Sequence, residues 1–223
     1  MEKTLSLTWN TLNALKNIYG ESFYLLDLEK FKKNYNEFIK SFRKIYPNSF
    51  IAYSYKTNYT PKLCKLVNQM RGYAEVVSEM ELNLALKIGV SPKKIIYNGP
   101  YKSENSIKKC LLNGGIINID SLAEIDIIEK IAHKYPKISM SVGLRCNFNI
   151  GTPLISRFGL DINKLSESFK RINKIKNVDI KGIHCHFPNR PLKTFIPRID
   201  KMLYLSKKFF KKLHFLRYKN PSS

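Results

Sequence analysis

The chain has 223 residues, 43% hydrophobic and 12% aromatic, enough to bury one sizeable core. Lysine and arginine number 39 against 17 carboxylates, a formal net charge of +22; because the basic residues are spread over every polar face, no nucleic-acid partner is expected. No run of about 18 apolar residues occurs, and residues 1–10 lack the apolar core and cleavage site of a secretory signal, so neither a membrane helix nor a membrane partner is expected.

Along the chain, Phe23-Tyr24-Leu25-Leu26 is a candidate strand. After Asp27 the spacing of Phe31, Tyr35, Phe38 and Ile39 predicts an amphipathic helix. Phe50 to Tyr55 reads as a buried strand, and a helix follows from Pro61, a residue suited to a first helical turn. The alternation then repeats. Strands are predicted over 74–77, 95–98, 116–120, 139–146, 180–187 and 213–218. Helices are predicted between them over 79–88, 104–112, 121–135, 163–175 and 194–211. Ser78 and Ser121 are expected N-caps, with Glu81 and Glu124 three residues on to complete capping boxes. Gly89 and Gly114-Gly115 fall where helices end; the glycine pair precedes a strand and reads as a turn, not a phosphate loop.

Strand-helix repetition at this spacing implies parallel strands joined by crossover helices, an α/β fold of the (β/α)8 TIM-barrel type. Seven strands are counted from Phe50. The expected division is an N-terminal segment over 1–28 and a barrel domain over 29–223. The four cysteines, Cys64, Cys110, Cys146 and Cys185, lie in separate segments with no Cys-x-x-Cys pair, and read as cytosolic thiols. His184 and His186 are two apart on one strand and would still need two further ligands for zinc, so no metal is expected.

A parallel barrel builds its site at the C-terminal ends of its strands. Lys56 ends the first predicted strand, Glu75 lies in the second, and Asn98-Gly99-Pro100 follows the third. Asp120-Ser121 ends the fourth, Arg145 and Asn147 the fifth, and His184 and His186 the sixth. Asp120-Ser121 reads first as a helix cap, and Arg157 as a surface arginine.

These blocks carry a resemblance. Tyr53-Ser-Tyr-Lys56-Thr-Asn58 with Pro61, Ala74-Glu-Val-Val-Ser78, and Tyr97-Asn-Gly-Pro-Tyr-Lys-Ser103 come first. Asn118-Ile-Asp-Ser121, Leu144-Arg-Cys-Asn147, Ser156-Arg-Phe-Gly159 and Gly182-Ile-His-Cys-His186 follow in order. Together they resemble the alanine-racemase-like pyridoxal phosphate enzymes, and among these the diaminopimelate and ornithine decarboxylase branch. The resemblance implies pyridoxal 5'-phosphate as cofactor and an amino acid as substrate. It implies Lys56 as the Schiff-base lysine forming the internal aldimine and later moving protons, its amine tuned by desolvation and nearby cations. His186 would stack on the pyridine face, Arg145 would support the ring near its 3′-oxygen, and Glu75 would be the acidic residue near Lys56. For full-length members it also implies a homodimer, and with its cytosolic thiols the chain is expected in the cytoplasm.

Two departures shape the expectation. The family's His-x-Gly-Ser after the sixth strand is Phe187-Pro188-Asn189-Arg190 here, so Asn189 and Arg190 would have to compensate at the cofactor's phosphate. The glycine-rich loop after the seventh strand, the eighth strand and the C-terminal β-domain do not follow before Ser223. The chain is thus expected to be an incomplete, inactive barrel part of a decarboxylase. The alternatives are a barrel-only pyridoxal phosphate-binding homeostasis protein and an amino-acid racemase. A racemase is disfavoured because the Tyr-Gly pair those enzymes carry after the lysine is missing.

Overall fold

The computed structural model describes residues 7–151, 156–187 and 192–210. The chain divides into two compact units between Ile51 and Ala52. The first carries α1 (Trp9–Tyr19) and α2 (Leu28–Arg43), capped by the side chains of Thr8 and Asp27. On α2, Phe31 meets Tyr35 and Phe38 meets Phe42, the contacts expected of residues four apart. The candidate strand at Phe23–Leu26 has no strand partner among the described residues, and α1 was not foreseen from the periodicity.

The second unit is a run of βα repeats. In order they are β1 (Ala52–Ser54), α3 (Pro61–Gln69), β2 (Tyr73–Val76), α4 (Glu79–Lys87), β3 (Ile95–Tyr97) and α5 (Glu104–Leu112). Then come β4 (Ile116–Ile119), α6 (Leu122–Lys134), β5 (Met140–Arg145), α7 (Ile162–Ile172), β6 (Val178–His184) and α8 (Phe195–Phe209). The six strands are all parallel and lie in chain order, β1-β2-β3-β4-β5-β6, the arrangement of a barrel-type βα fold. The predicted strand over 213–218 lies outside the described residues.

Apolar side chains from both layers meet behind the sheet. Ile107, Leu111, Ile125, Ile128 and Ile172 from the helices are wholly buried against Val76, Ile117, Ile119, Val142 and Leu144 from the strands. Each such side chain contributes about 1.5–3 kcal/mol relative to exposure. Burial is greatest in β4 and β5, as it is for parallel strands covered on both faces.

One irregularity matters for the site. Val142 pairs with Ile180 but Gly143 pairs with Gly182, so Lys181 is an extra residue in β6. A one-residue slip moves every later side chain to the other face. The bulge therefore sets His184 opposite Arg145.

Candidate active site

The predicted site residues lie at the C-terminal ends of the parallel strands. β1 ends at Ser54, earlier than the apolar run suggested, because the chain tightens into a 3-10 turn over Tyr55–Thr57 that buries Tyr55 and exposes Lys56. Lys56 Nζ lies 3.3 Å from His186 Nε2, joining side chains 130 positions apart. Both residues are exposed.

Glu75 on β2 sits in register with Ser54. Its Oε1 accepts from Asn98 Nδ2 at 2.7 Å, and Asn98 Oδ1 accepts from Asn118 Nδ2 at 2.5 Å. A chain of amides thus crosses β2, β3 and β4 and fixes which way the carboxylate faces. A Cβ on Gly143 would collide with Asn118 Oδ1, so the glycine makes room for the last amide.

Arg145, at the end of β5, is 6% exposed. Its Nη1 donates to Asp120 Oδ1 at 2.5 Å, and its guanidinium lies 5.3 Å from the Phe158 ring centre. Asp120 therefore serves Arg145 first. The expected cap by Ser121 is not made: Ser121 accepts no bond from the α6 backbone. Glu124 instead accepts from the Asp120 N–H at 2.9 Å and from the buried Lys102 Nζ at 2.8 and 3.0 Å. Ser78 does cap α4, but Glu81 turns back to the Val77 N–H at 2.7 Å. Burial raises the Glu81 carboxyl above its ordinary value; Lys56 is close enough to oppose that rise.

His184 is held neutral. Burial, then the charges of Arg145, His186, Lys56 and Lys102, push it down to about 4. Arg157 is exposed and stacks on Phe158, a surface arginine as expected. The four cysteines are free thiols; burial pushes Cys64 up to about 11 and Cys110 and Cys146 up to about 12, which makes them poor nucleophiles. Asn189 and Arg190 lie outside the described residues.

Three buried polar atoms at these strand ends have no partner: Ser54 Oγ, Arg145 Nε and His184 Nδ1. Buried polar atoms are nearly always bonded, so a cluster of orphans next to an exposed lysine marks a place for a polar ligand.

A family model described as the pyridoxal-binding domain of pyridoxal-dependent decarboxylases matches residues 30–205. The chain belongs to that family. Among curated relatives of this pyridoxal-binding domain, diaminopimelate decarboxylase of Aquifex aeolicus is 30% identical over 192 residues, covering 82% of this chain and 44% of the relative. The Helicobacter pylori enzyme of the same name is 32% identical over 187 residues, covering 78% and 45%. The crystal structure of diaminopimelate decarboxylase from Methanocaldococcus jannaschii with L-lysine superposes with a TM-score of 0.79 at 28% identity, covering 87% of this chain and 49% of that one. The chain spans about half the length of the curated relatives it matches.

The family's cofactor is pyridoxal phosphate, and the residues at the strand ends fit its ring side. An exposed amine stands beside a flat imidazole, a buried guanidinium retains a free N–H, and a neutral histidine retains a free ring nitrogen. The sequence singles out Lys56, Glu75, Arg145 and His186 as candidates but not the contacts made by Asn98, Asn118, Lys102 and Asp120. Their signal was only a polar residue at each strand end, and their partners lie 20 to 25 residues away.

Proposed function

We propose that this chain is the cofactor-holding part of an amino-acid decarboxylase, with diaminopimelate as the favoured substrate. The observation that carries the proposal is the Lys56–His186 pair, 3.3 Å apart at the mouth of strands β1 and β6. The substrate class rests on the diaminopimelate decarboxylase relatives.

Bound pyridoxal phosphate supplies the electron sink for the pair released when an α-carboxylate leaves as carbon dioxide. The chain's own residues do the rest. Lys56 Nζ would hold the cofactor and move a proton. His186, 3.3 Å from it, would pack against the ring, the unpaired Arg145 Nε would be a donor to it, and Glu75, kept in orientation by Asn98, would be the acidic group of the site. Asn189 belongs to the same proposal at the phosphate end. The functional domain is read as 29–223, supported by a family match that begins at residue 30. No described helix is long and apolar enough to cross a membrane; we place the protein in the cytoplasm, its four thiols being free, and read it as a homodimer on the family resemblance.

Borohydride reduction of the 223-residue chain with pyridoxal phosphate, followed by peptide mapping, tests the site. A pyridoxyl adduct on Lys56 is expected, with no specific adduct in Lys56→Ala. Folded protein that gives no adduct at Lys56 overturns the reading. Carbon dioxide release from any of diaminopimelate, ornithine, arginine and lysine then ranks the substrates and overturns the reading as a mere cofactor carrier.

A further inference from the structure

Two acidic and two basic side chains are buried together beside the site. Lys102 is 3% exposed, Asp120 8%, Glu124 5% and Arg145 6%. Lys102 Nζ donates to Gly99 O at 2.7 Å and to both Glu124 oxygens; Glu124 Oε2 holds the Asp120 N–H; Asp120 Oδ1 holds Arg145 Nη1. The second Asp120 oxygen accepts from the Gly159 N–H at 3.2 Å. Gly159 has φ +87, and a side chain there would press on Arg145 Cγ and its carbonyl. The charges sum to zero, and the chain of contacts ties the loops after β3, β4 and β5 to one another.

A set of buried ion pairs is a poor way to gain stability, because desolvation offsets most of the attraction. Its use lies in geometry. Arg145 is held by Asp120 at one nitrogen and by Phe158 across its plane, while Nε is buried with no partner. An arginine serving only to tie loops would not need to leave that donor unmet beside His184.

We propose that Asp120 is a positioning residue: tied back through Glu124 to Lys102, its carboxylate sets the plane of the Arg145 guanidinium and balances its charge beside Lys56 and the histidines. This rests on the pyridoxal phosphate reading above. The other titratable groups that bear on this cluster are Tyr97 from β3 and Cys110 from α5, facing Glu124 and Lys102, and His184 from β6 with Cys185 just after it, facing Arg145. Burial raises the Glu124 carboxyl, and Lys102 opposes that rise. Without the Asp120 charge, Arg145 is an unbalanced cation near the Lys56-linked chromophore and disfavours its protonated form.

The experiment is a pyridoxal phosphate titration followed by visible absorbance across pH, on the full 223-residue chain. The wild type gives a band absent from Lys56→Ala. Asp120→Asn keeps the shape and removes the charge; it is expected to bind the cofactor roughly tenfold more weakly and to lower the pH midpoint of the band by about half to one unit. Glu124→Gln, one step further out, shifts the midpoint the same way by less, and carries the test if Asp120→Asn does not fold. A loss of folding stability alone moves neither quantity in the protein that remains folded. If the wild type shows the Lys56 band while the folded variants keep its affinity and midpoint, the inference is overturned and the site reading stands. If the wild type shows no such band, both fall.

Discussion

At the scale of single residues, Gly143 shows how a missing side chain directs a polar one. Asn118 Oδ1 occupies the space a Cβ would take, and the opposite end of that amide feeds Asn98 and then Glu75. Gly143→Ala forces Asn118 to turn and breaks the first buried link. Overpacking a strand in the core costs about 1–3 kcal/mol, and the orphaned Asn98 oxygen adds to it. Urea unfolding is expected to show a loss of about 2 kcal/mol, part of which returns in Gly143→Ala/Asn118→Ala because the second change removes the colliding group. Fully additive costs would mean that the two residues do not meet. The same residues explain what could be read beforehand. Lys56, Glu75, Arg145 and His186 stood out because ordered motifs brought them to the strand ends. The amide chain did not, because Asn98 and Asn118 look like ordinary rim residues until the parallel register sets them side by side.

Helices and strands were legible because their signals are local. The existence of β1 to β6 and of α2 to α8 followed from apolar spacing and from punctuation by Gly, Pro and Ser. Their ends followed less well, since strand ends depend on partners in the sheet. The run through Tyr55 reads as strand, yet the chain turns there and buries that ring. The extra residue Lys181 in β6 left no trace in composition, although it decides that His184 faces Arg145. Capping boxes expose the same limit. Ser78 and Ser121 have identical spacing to a glutamate, but only Ser78 accepts a bond from its helix, at 3.2 Å from the Glu81 N–H. Losing a working serine cap costs about 1 kcal/mol, so Ser78→Ala should lower the urea midpoint measurably. Ser121→Ala should leave it nearly unchanged, and an equal loss in both would show that Ser121 caps α6 in solution.

For the molecule as a whole, the charge of +22 sets how stability responds to salt. Added salt acts in two opposing ways. Screening weakens surface ion pairs such as Lys32–Glu29, Lys164–Asp161 and Lys181–Asp179, each worth about 0–1 kcal/mol. Screening also relieves repulsion among 39 basic side chains that only 17 carboxylates can balance. Some of those carboxylates are already committed in the interior, where Glu124 and Asp120 hold Lys102 and Arg145 out of reach of salt. Relief of repulsion therefore outweighs the loss of surface pairs. The urea midpoint should rise as sodium chloride is raised from about 0.01 M to about 0.15 M, where the Debye length falls from about 30 to about 8 Å. A midpoint that falls over that range would mean that the surface pairs outweigh the net charge. Replacing Lys30 and Lys40, both exposed on α2, with glutamine should then flatten the salt response without touching the core. Removing the Glu29 carboxylate should steepen it, because one more basic charge is left unbalanced.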